Sequence, residues 1–360
     1  SSYFSDLCCD LYFIEIIVMP VFYENDPSLQ SYWRSIVLYG KNVASYKFAL
    51  AKSLIDLKGQ PNDLIKLEDL AVPFSKHICE HLKKNDKQIT SKSSKFLDEC
   101  RKFNSNTVGL DTLIQTTKKI GFSNVIDRFH EVNGNAIPCK FYIDERKESG
   151  GIRITENFFE LNELLESENL PSEVEARWRL VETAWDLNMP TNLIRVEYDN
   201  ERELFYTDNS NRRVDVTPSR DALNGYQKGK CFFCFDYISV LSKSPNLAHV
   251  DHFFPHMLSN DESFKGYVDG VWNLVLACQK CNNGPNGKFA KLPTINLLAR
   301  LYKRNEFFCS SHHPLNETVR NQIGASANDR SSELNRYFNQ AKDILIHTWE
   351  PDETRGEEVF

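Results

Sequence analysis

Apolar residues recur at helical spacing through Trp33, Ile36, Val37, Val43, Phe48, Leu50, Leu54 and Leu57, with only Gly40 interrupting, so the pattern predicts one long core helix over Ser28–Leu57. Helical patterning continues from Leu64 to Lys118, broken at Pro61, Pro73 and the polar run Asn85–Ser94. After Cys139 the period shortens. Lys-Phe-Tyr-Ile-Asp and Gly-Ile-Arg-Ile-Thr flank a Gly150-Gly151 turn and predict a hairpin. A helix is expected over Leu170–Leu187, with short strands in Asn192–Tyr206 and Arg212–Val216. Thr217–Tyr226, opening on Thr-Pro-Ser, predicts a helix, and a strand starts near Val250. Further helices are expected over Ile295–Phe308, Pro314–Gln322 and Ser332–His347. The class is α+β: a mainly α-helical N-terminal lobe with small β elements, then a compact mixed module and a helical C-terminal wrap.

Composition sets the outer bounds. A chain of 360 residues with 41% hydrophobic positions has material for two or three lobes. The division expected is a hydrophobic arm or non-native stretch at 1–18, an α-rich regulatory or partner-binding lobe at 19–220, a mixed module at 221–295 and a helical extension at 296–360. Leu11–Val18 is apolar but contains Glu15 and is far too short to span a bilayer, so no membrane association is expected; Met19 is a candidate start. Six of the ten cysteines (Cys8, Cys9, Cys79, Cys100, Cys139 and Cys309) are scattered without a disulfide rhythm, which suits a reducing cytoplasm. The net charge of −7 argues against a nucleic-acid partner, but its distribution argues the other way. Lys228–Asn305 holds ten Lys and Arg against five Asp and Glu, near +5, leaving 33 against 45, near −12, for the rest.

The remaining four cysteines carry the chemistry. Cys231/Cys234 and Cys278/Cys281 are two Cys-x2-Cys turns, each presenting two thiolates, and together they suit a tetrahedral zinc site. Between them lies Asp251-His252, a hard oxygen ligand beside an imidazole, and Asn282 follows the last cysteine. Over Ala222–Leu292 this order of elements resembles the HNH endonuclease family, the ββα-metal fold with four zinc-binding cysteines.

The resemblance implies an HNN site. His252 takes the first letter as the base that deprotonates water, and Asn273 takes the second and holds the loop orienting it. Asn282 takes the third and, with Asp251, holds one Mg²⁺ or Mn²⁺ through oxygens, while zinc is structural. The helix of the motif is expected from about Gly287. Where many members carry a Lys three residues after that Asn, this chain has Pro285; Lys288 and Lys291 are the candidate phosphate-binding residues, and Asn283 and Asn286 compete with Asn282.

The implied activity is DNA phosphodiester hydrolysis, nicking to 5′-phosphate and 3′-hydroxyl ends, with a dimer or successive nicks needed for double-strand breaks. Ser31–Gly40, Arg304–Phe308 and Ser311–Leu315 look like prokaryotic phage-defence proteins, implying an antiviral effector with a separate protein partner such as an NTPase or sensor. RNA is an alternative substrate, and a catalytically silent zinc-stabilised binding subunit is the alternative class. His249 and His256 flank the motif as candidate second ligands or bystanders; His77 and His81, at i and i+4, read as surface histidines, and His312-His313 as a helix start.

Overall fold

The computed structural model describes residues 26–39, 44–91, 93–132, 134–186, 196–209, 212–311, 313 and 315–360. The expectations for 1–18, for Val43, for 192–195 and for His312 and Pro314 fall outside those residues.

The structure is α+β. Helix α1 (Leu29–Arg34) widens into a π-helical turn over Ser35–Tyr39, and α2 (Tyr46–Asp56) follows. The single helix expected over Ser28–Leu57 is therefore two, since Ala44, bridged to Ile89, and Ser45 lie outside both. Strand β1 (Leu64–Lys66) leads into α3 (Leu67–Leu82), which passes through Pro73 without breaking. The apolar face of α3, with Leu70, Phe74 and Ile78 fully buried, outweighs the hydrogen bond that proline removes. Then come α4 (Lys95–Asn104), α5 (Leu110–Thr116), α6 (Val125–Arg128), a small hairpin of β2 (Glu131–Val132) and β3 (Asn135–Ala136), β4 (Tyr142–Glu145) and β5 (Gly151–Ile154). The Gly150-Gly151 hairpin forms as expected, and β5 is the central strand of the sheet β1-β5-β4. Gly150 takes φ +69°, and a Cβ on Gly151 would meet the Ile65 carbonyl oxygen at 2.1 Å, so the pair serves both turn and close strand approach.

Helices α7 (Glu156–Glu163) and α8 (Leu170–Asp186) close this lobe around Trp33, whose ring lies 5.3–5.8 Å from Phe129, Phe141 and Phe158. An antiparallel meander follows: β6 (Glu197–Asp199), β7 (Leu204–Asn209) and β8 (Arg212–Pro218). Helix α9 (Ser219–Gln227) leads to the first cysteine turn; β9 (His249–His252) pairs with β10 (Leu274–Ala277), and α10 (Gln279–Asn283) carries the second. Strand β11 (Leu292–Pro293), α11 (Ile295–Ser310), α12 (Asn316–Ile323), α13 (Ala327–Ile344) and β12 (Thr348–Trp349) complete the chain, with β12 parallel to β11. No helix among the described residues is long and apolar enough to cross a membrane.

One contiguous buried cluster runs from Trp33 to Phe360. Arg34, fully buried, makes a two-pronged ion pair with Glu173 on α8 at 2.7 Å on each side, and Asn224 on α9 donates to the same carboxylate at 2.7 Å. The α-rich lobe is thereby joined to the helix that enters the cysteine site. His77 and His81 are not the surface histidines expected. His81 stacks on Trp178 at 3.5 Å with its ring nitrogens 2.6 Å from Glu182 and 3.2 Å from Glu175, and His77 faces Asp56 at 2.6 Å. A lobe with this many acidic residues buries α3 against α8, and the two imidazoles supply the partners that the carboxylates need.

Candidate functional site

Two backbone reversals bring the cysteines together. Lys228 (φ 54°) and Gly229 (φ 75°) end α9 in left-handed backbone and turn the chain into Cys231 and Cys234. Cys278 caps α10, its sulfur accepting from the Cys281 amide. The two turns are tied by Phe232 N to Leu276 O (2.9 Å) and by the Gln227 side chain, which donates to Leu276 O and accepts from Leu276 N, both at 2.8 Å. All four sulfurs lie within 4.8 Å of one another, and Cys234 and Cys278 are 3.8 Å apart. A tetrahedron with zinc–sulfur bonds of about 2.3 Å has edges of about 3.8 Å. The Cys278 amide donates to Cys231 Sγ at 3.3 Å, and Arg355 approaches Cys234 Sγ at 3.5 Å and Cys281 Sγ at 3.8 Å. Burial first, and then the three neighbouring cysteines, push the Cys231 thiol up, so four thiolates here need a cation at their centre. The donor set fits a closed, structural zinc site.

No family model matches the chain, and neither a curated protein nor a solved structure matches it.

Asp251 and His252 are consecutive on β9, opposite Val275 and Leu274, and successive strand residues point to opposite faces. Their partners differ accordingly. Asp251 Oδ1 accepts from Lys288 Nζ at 3.0 Å, while His252 Nε2 lies 2.8 Å from Asp269 Oδ1, with the Tyr198 and His256 rings 6.0 and 5.3 Å away. His256 reaches the same Asp269 oxygen at 3.6 Å. The hydrogen bond from His252 holds the Asp269 carboxyl below its usual range. Asn273 is fully buried: its Oδ1 accepts from Phe254 N (2.7 Å), and its Nδ2 donates to Phe254 O (3.0 Å) and Val268 O (2.8 Å). It clamps the segment after His252 to the segment before Asp269.

Asn282 lies half-buried on α10 with its carbonyl accepting from Phe289 N at 2.9 Å. Contrary to expectation, no helix starts near Gly287; the helices on either side are α10, of five residues, and α11. Pro285 cannot extend α10, and Asn286 (φ 60°) and Phe289 (φ 48°) turn the chain back so that Lys288 N donates to Cys281 O at 2.7 Å. That turn also redirects Lys288. Instead of offering its ammonium to a phosphate, Lys288 is fully buried on Asp251, and Lys291 is the exposed one.

The other Asp251 oxygen, Oδ2, is buried with no hydrogen-bond partner. A hard cation fits such an atom. Burial pushes the Asp251 carboxyl up and Lys288 pulls it down, so the lysine already offsets part of the charge a metal would use.

Charge departs from expectation too. Of the ten cations of Lys228–Asn305, Lys228 pairs with Asp26, Lys230 with Glu166 and Lys288 with Asp251. Arg300 lies 4.3 Å from the Phe235 ring centre and donates to Phe232 O, and buried Arg304 donates to Leu274 O and Trp272 O. Five of the ten cations are thus engaged within the fold. The residues that sequence reasoning missed are Asp269, Tyr198 and Arg355. Asp269 sits in an Asp-Gly pair that reads as an ordinary turn, and the other two reach the site from distant segments.

Proposed function

We propose that the chain is a metal-dependent endonuclease of the HNH type acting on DNA, with its α-rich lobe as the partner-binding element of an antiviral effector. One observation carries the reading: an imidazole on a strand, braced by a carboxylate and preceded in the same strand by a buried carboxylate with a free oxygen, in a segment held by an asparagine clamp and a four-cysteine site. His252 is the candidate base. Asp269 is its positioning residue, since a carboxylate at 2.8 Å from Nε2 favours the tautomer that leaves Nδ1 able to take a proton from water. Asn273 sets the spacing of the two segments that meet at His252. Asp251, steered by Lys288, would hold Mg²⁺ or Mn²⁺ through Oδ2, with Asn282 on the neighbouring helix as a further oxygen donor. Such a cation would polarise the phosphate and offset charge on the leaving oxygen.

The test is nicking of supercoiled plasmid, with an RNA substrate in parallel, in Mg²⁺, Mn²⁺ or EDTA. His252→Ala is expected to lower the rate by about 10²–10⁴ with zinc content unchanged. Cleavage that persists at the wild-type rate in that variant would falsify the assignment. Absence of cleavage by zinc-loaded protein points to the second reading, a silent binding subunit, which the inward-turned cations favour by reducing the charge available to phosphates.

A further inference from the structure

The 348–360 segment lies across the cysteine site. Trp349 packs edge-on against Phe233 at 5.2 Å, and its Nε1 donates to Asn286 O at 2.7 Å, on the loop that delivers Lys288. Further on, Arg355 N and Gly356 N both donate to Cys234 O, at 2.8 and 3.2 Å. A Cβ at Gly356 would meet the Phe235 carbonyl oxygen at 2.0 Å, so this close approach requires glycine. Phe360 then packs against Tyr226 and Phe235 at 5.1 and 4.9 Å, and Lys228 Nζ donates to Val359 O at 2.9 Å.

The chemistry at the crossing point is specific. Arg355 directs one guanidinium nitrogen to Cys234 Sγ at 3.5 Å and Cys281 Sγ at 3.8 Å, one sulfur from each turn. Four thiolates around Zn²⁺ carry a net charge of −2, and a guanidinium bridging two of them offsets half of it while donating to the sulfurs. Arg300, anchored on the Phe232 and Phe233 carbonyls at 2.6 and 3.0 Å, is the second cation on this side.

We propose that residues 348–360 are a clasp whose docking depends on the metal: Arg355 is the outer-sphere cation of the four-cysteine site, and the bound metal in turn holds the clasp against Asn286 and the Lys288 loop. Without the metal no ion fixes the first cysteine turn, so Arg355 loses the placed sulfurs and the Cys234 carbonyl that its backbone donates to, and keeps its exposed pair with Glu353. The ends of the segment stay attached through Trp349, which donates to Asn286 O, and through Val359, which accepts from Lys228, while its middle at Arg355 is released.

The clasp rests on the cysteines binding metal and is independent of nuclease activity. Zinc content is measured first, then zinc release to a chromophoric chelator from the full chain and from Arg355→Gln and Gly356→Ala, with folding checked by circular dichroism. Both variants are expected to release zinc about 10- to 100-fold faster. In the wild-type chain, trypsin cleavage after Arg355, read by mass spectrometry, is expected to be blocked with zinc and to become the first cut after chelation. Release at the wild-type rate in both folded variants, or cleavage after Arg355 that ignores zinc, overturns the clasp while leaving the metal site standing. A chain that takes up no zinc overturns both.

Discussion

Asp251→Ala removes the carboxylate from a lysine that stays inside the fold. Lys288 is fully buried, with its Nζ 3.0 Å from Asp251 Oδ1 and a weaker acceptor in the Phe289 carbonyl at 3.3 Å. Breaking a buried ion pair from one side costs about 3–5 kcal/mol, because the surviving charge keeps its desolvation penalty and loses its partner. The contact uses one carboxylate oxygen and a carbonyl remains within reach, which places this case near about 3 kcal/mol. Set against a total stability of about 5–15 kcal/mol, the loss is readily seen. Urea unfolding followed by tryptophan fluorescence, with zinc present, is measured for Asp251→Ala, Lys288→Met and the Asp251→Ala/Lys288→Met double variant. The double variant is expected to recover most of the loss, with a coupling energy of about 2 kcal/mol or more. An Asp251→Ala cost under about 1 kcal/mol, the range of an exposed pair, refutes the buried-pair reasoning. So does a double variant as unstable as Asp251→Ala. The same argument makes His252→Ala the cleaner probe of activity, since lost cleavage in Asp251→Ala mixes a missing ligand with a damaged fold.

Two further outcomes follow from buried groups. Burial holds His130 at about 4, below its unfolded value of 6.5, while its Nε2 accepts from Phe141 N at 2.9 Å. The unfolded chain therefore takes up that proton first. This stability is complete above about pH 6.5 and is lost as pH falls toward 4, about 3 kcal/mol over the window. His130→Gln keeps an acceptor, so urea midpoints across pH 4–7 should vary less steeply than in wild type; an unchanged slope excludes His130 as its source. Cys278→Ser removes one sulfur while leaving a hydroxyl that can still cap α10. It is expected to lower zinc from one per chain to near zero by elemental analysis, and to shorten the protection of β9 and β10 in hydrogen exchange; full zinc occupancy in the variant would contradict the four-cysteine assignment.

Local chemistry made much of this molecule readable. The paired Cys-x2-Cys turns, the Gly150-Gly151 hairpin and the helix entering the first knuckle depend on residues close together in the chain, and each lies where its spacing placed it. What sequence could not show depends on contacts across long separations. Lys288 and Lys291 look alike in a glycine-rich loop, and only the left-handed turns at Asn286 and Phe289 decide which one goes inside. His77 and His81 have a surface spacing, yet their partners lie on α2 and on α8, about a hundred residues away for His81. Counting charges along Lys228–Asn305 measured composition, whereas a phosphate senses exposed charge, and half of those cations are spent on the fold.

That internal use of charge fits the smallness of the central hairpin. Strands β9 and β10 are four residues each, and an isolated two-stranded ribbon of that length is marginal in water. Yet this ribbon must present Asp251 and His252 on opposite faces with their partners in register. Position is supplied from outside it: Gln227 ties β10 to the helix before the first knuckle, Arg304 binds the carbonyls at its start, and Asn273 fastens the chain after β9. The four-cysteine site is the remaining brace, and it acts directly on the candidate chemistry, because the Lys288 amide donates to the carbonyl of Cys281. A displaced α10 moves Lys288, and a displaced Lys288 frees Asp251 from its orientation. The four-cysteine site and Asp251 are thus joined by one continuous set of hydrogen bonds, which is the physical reason to expect a metal held there, the clasp at Arg355 and the geometry around Asp251 to be lost together.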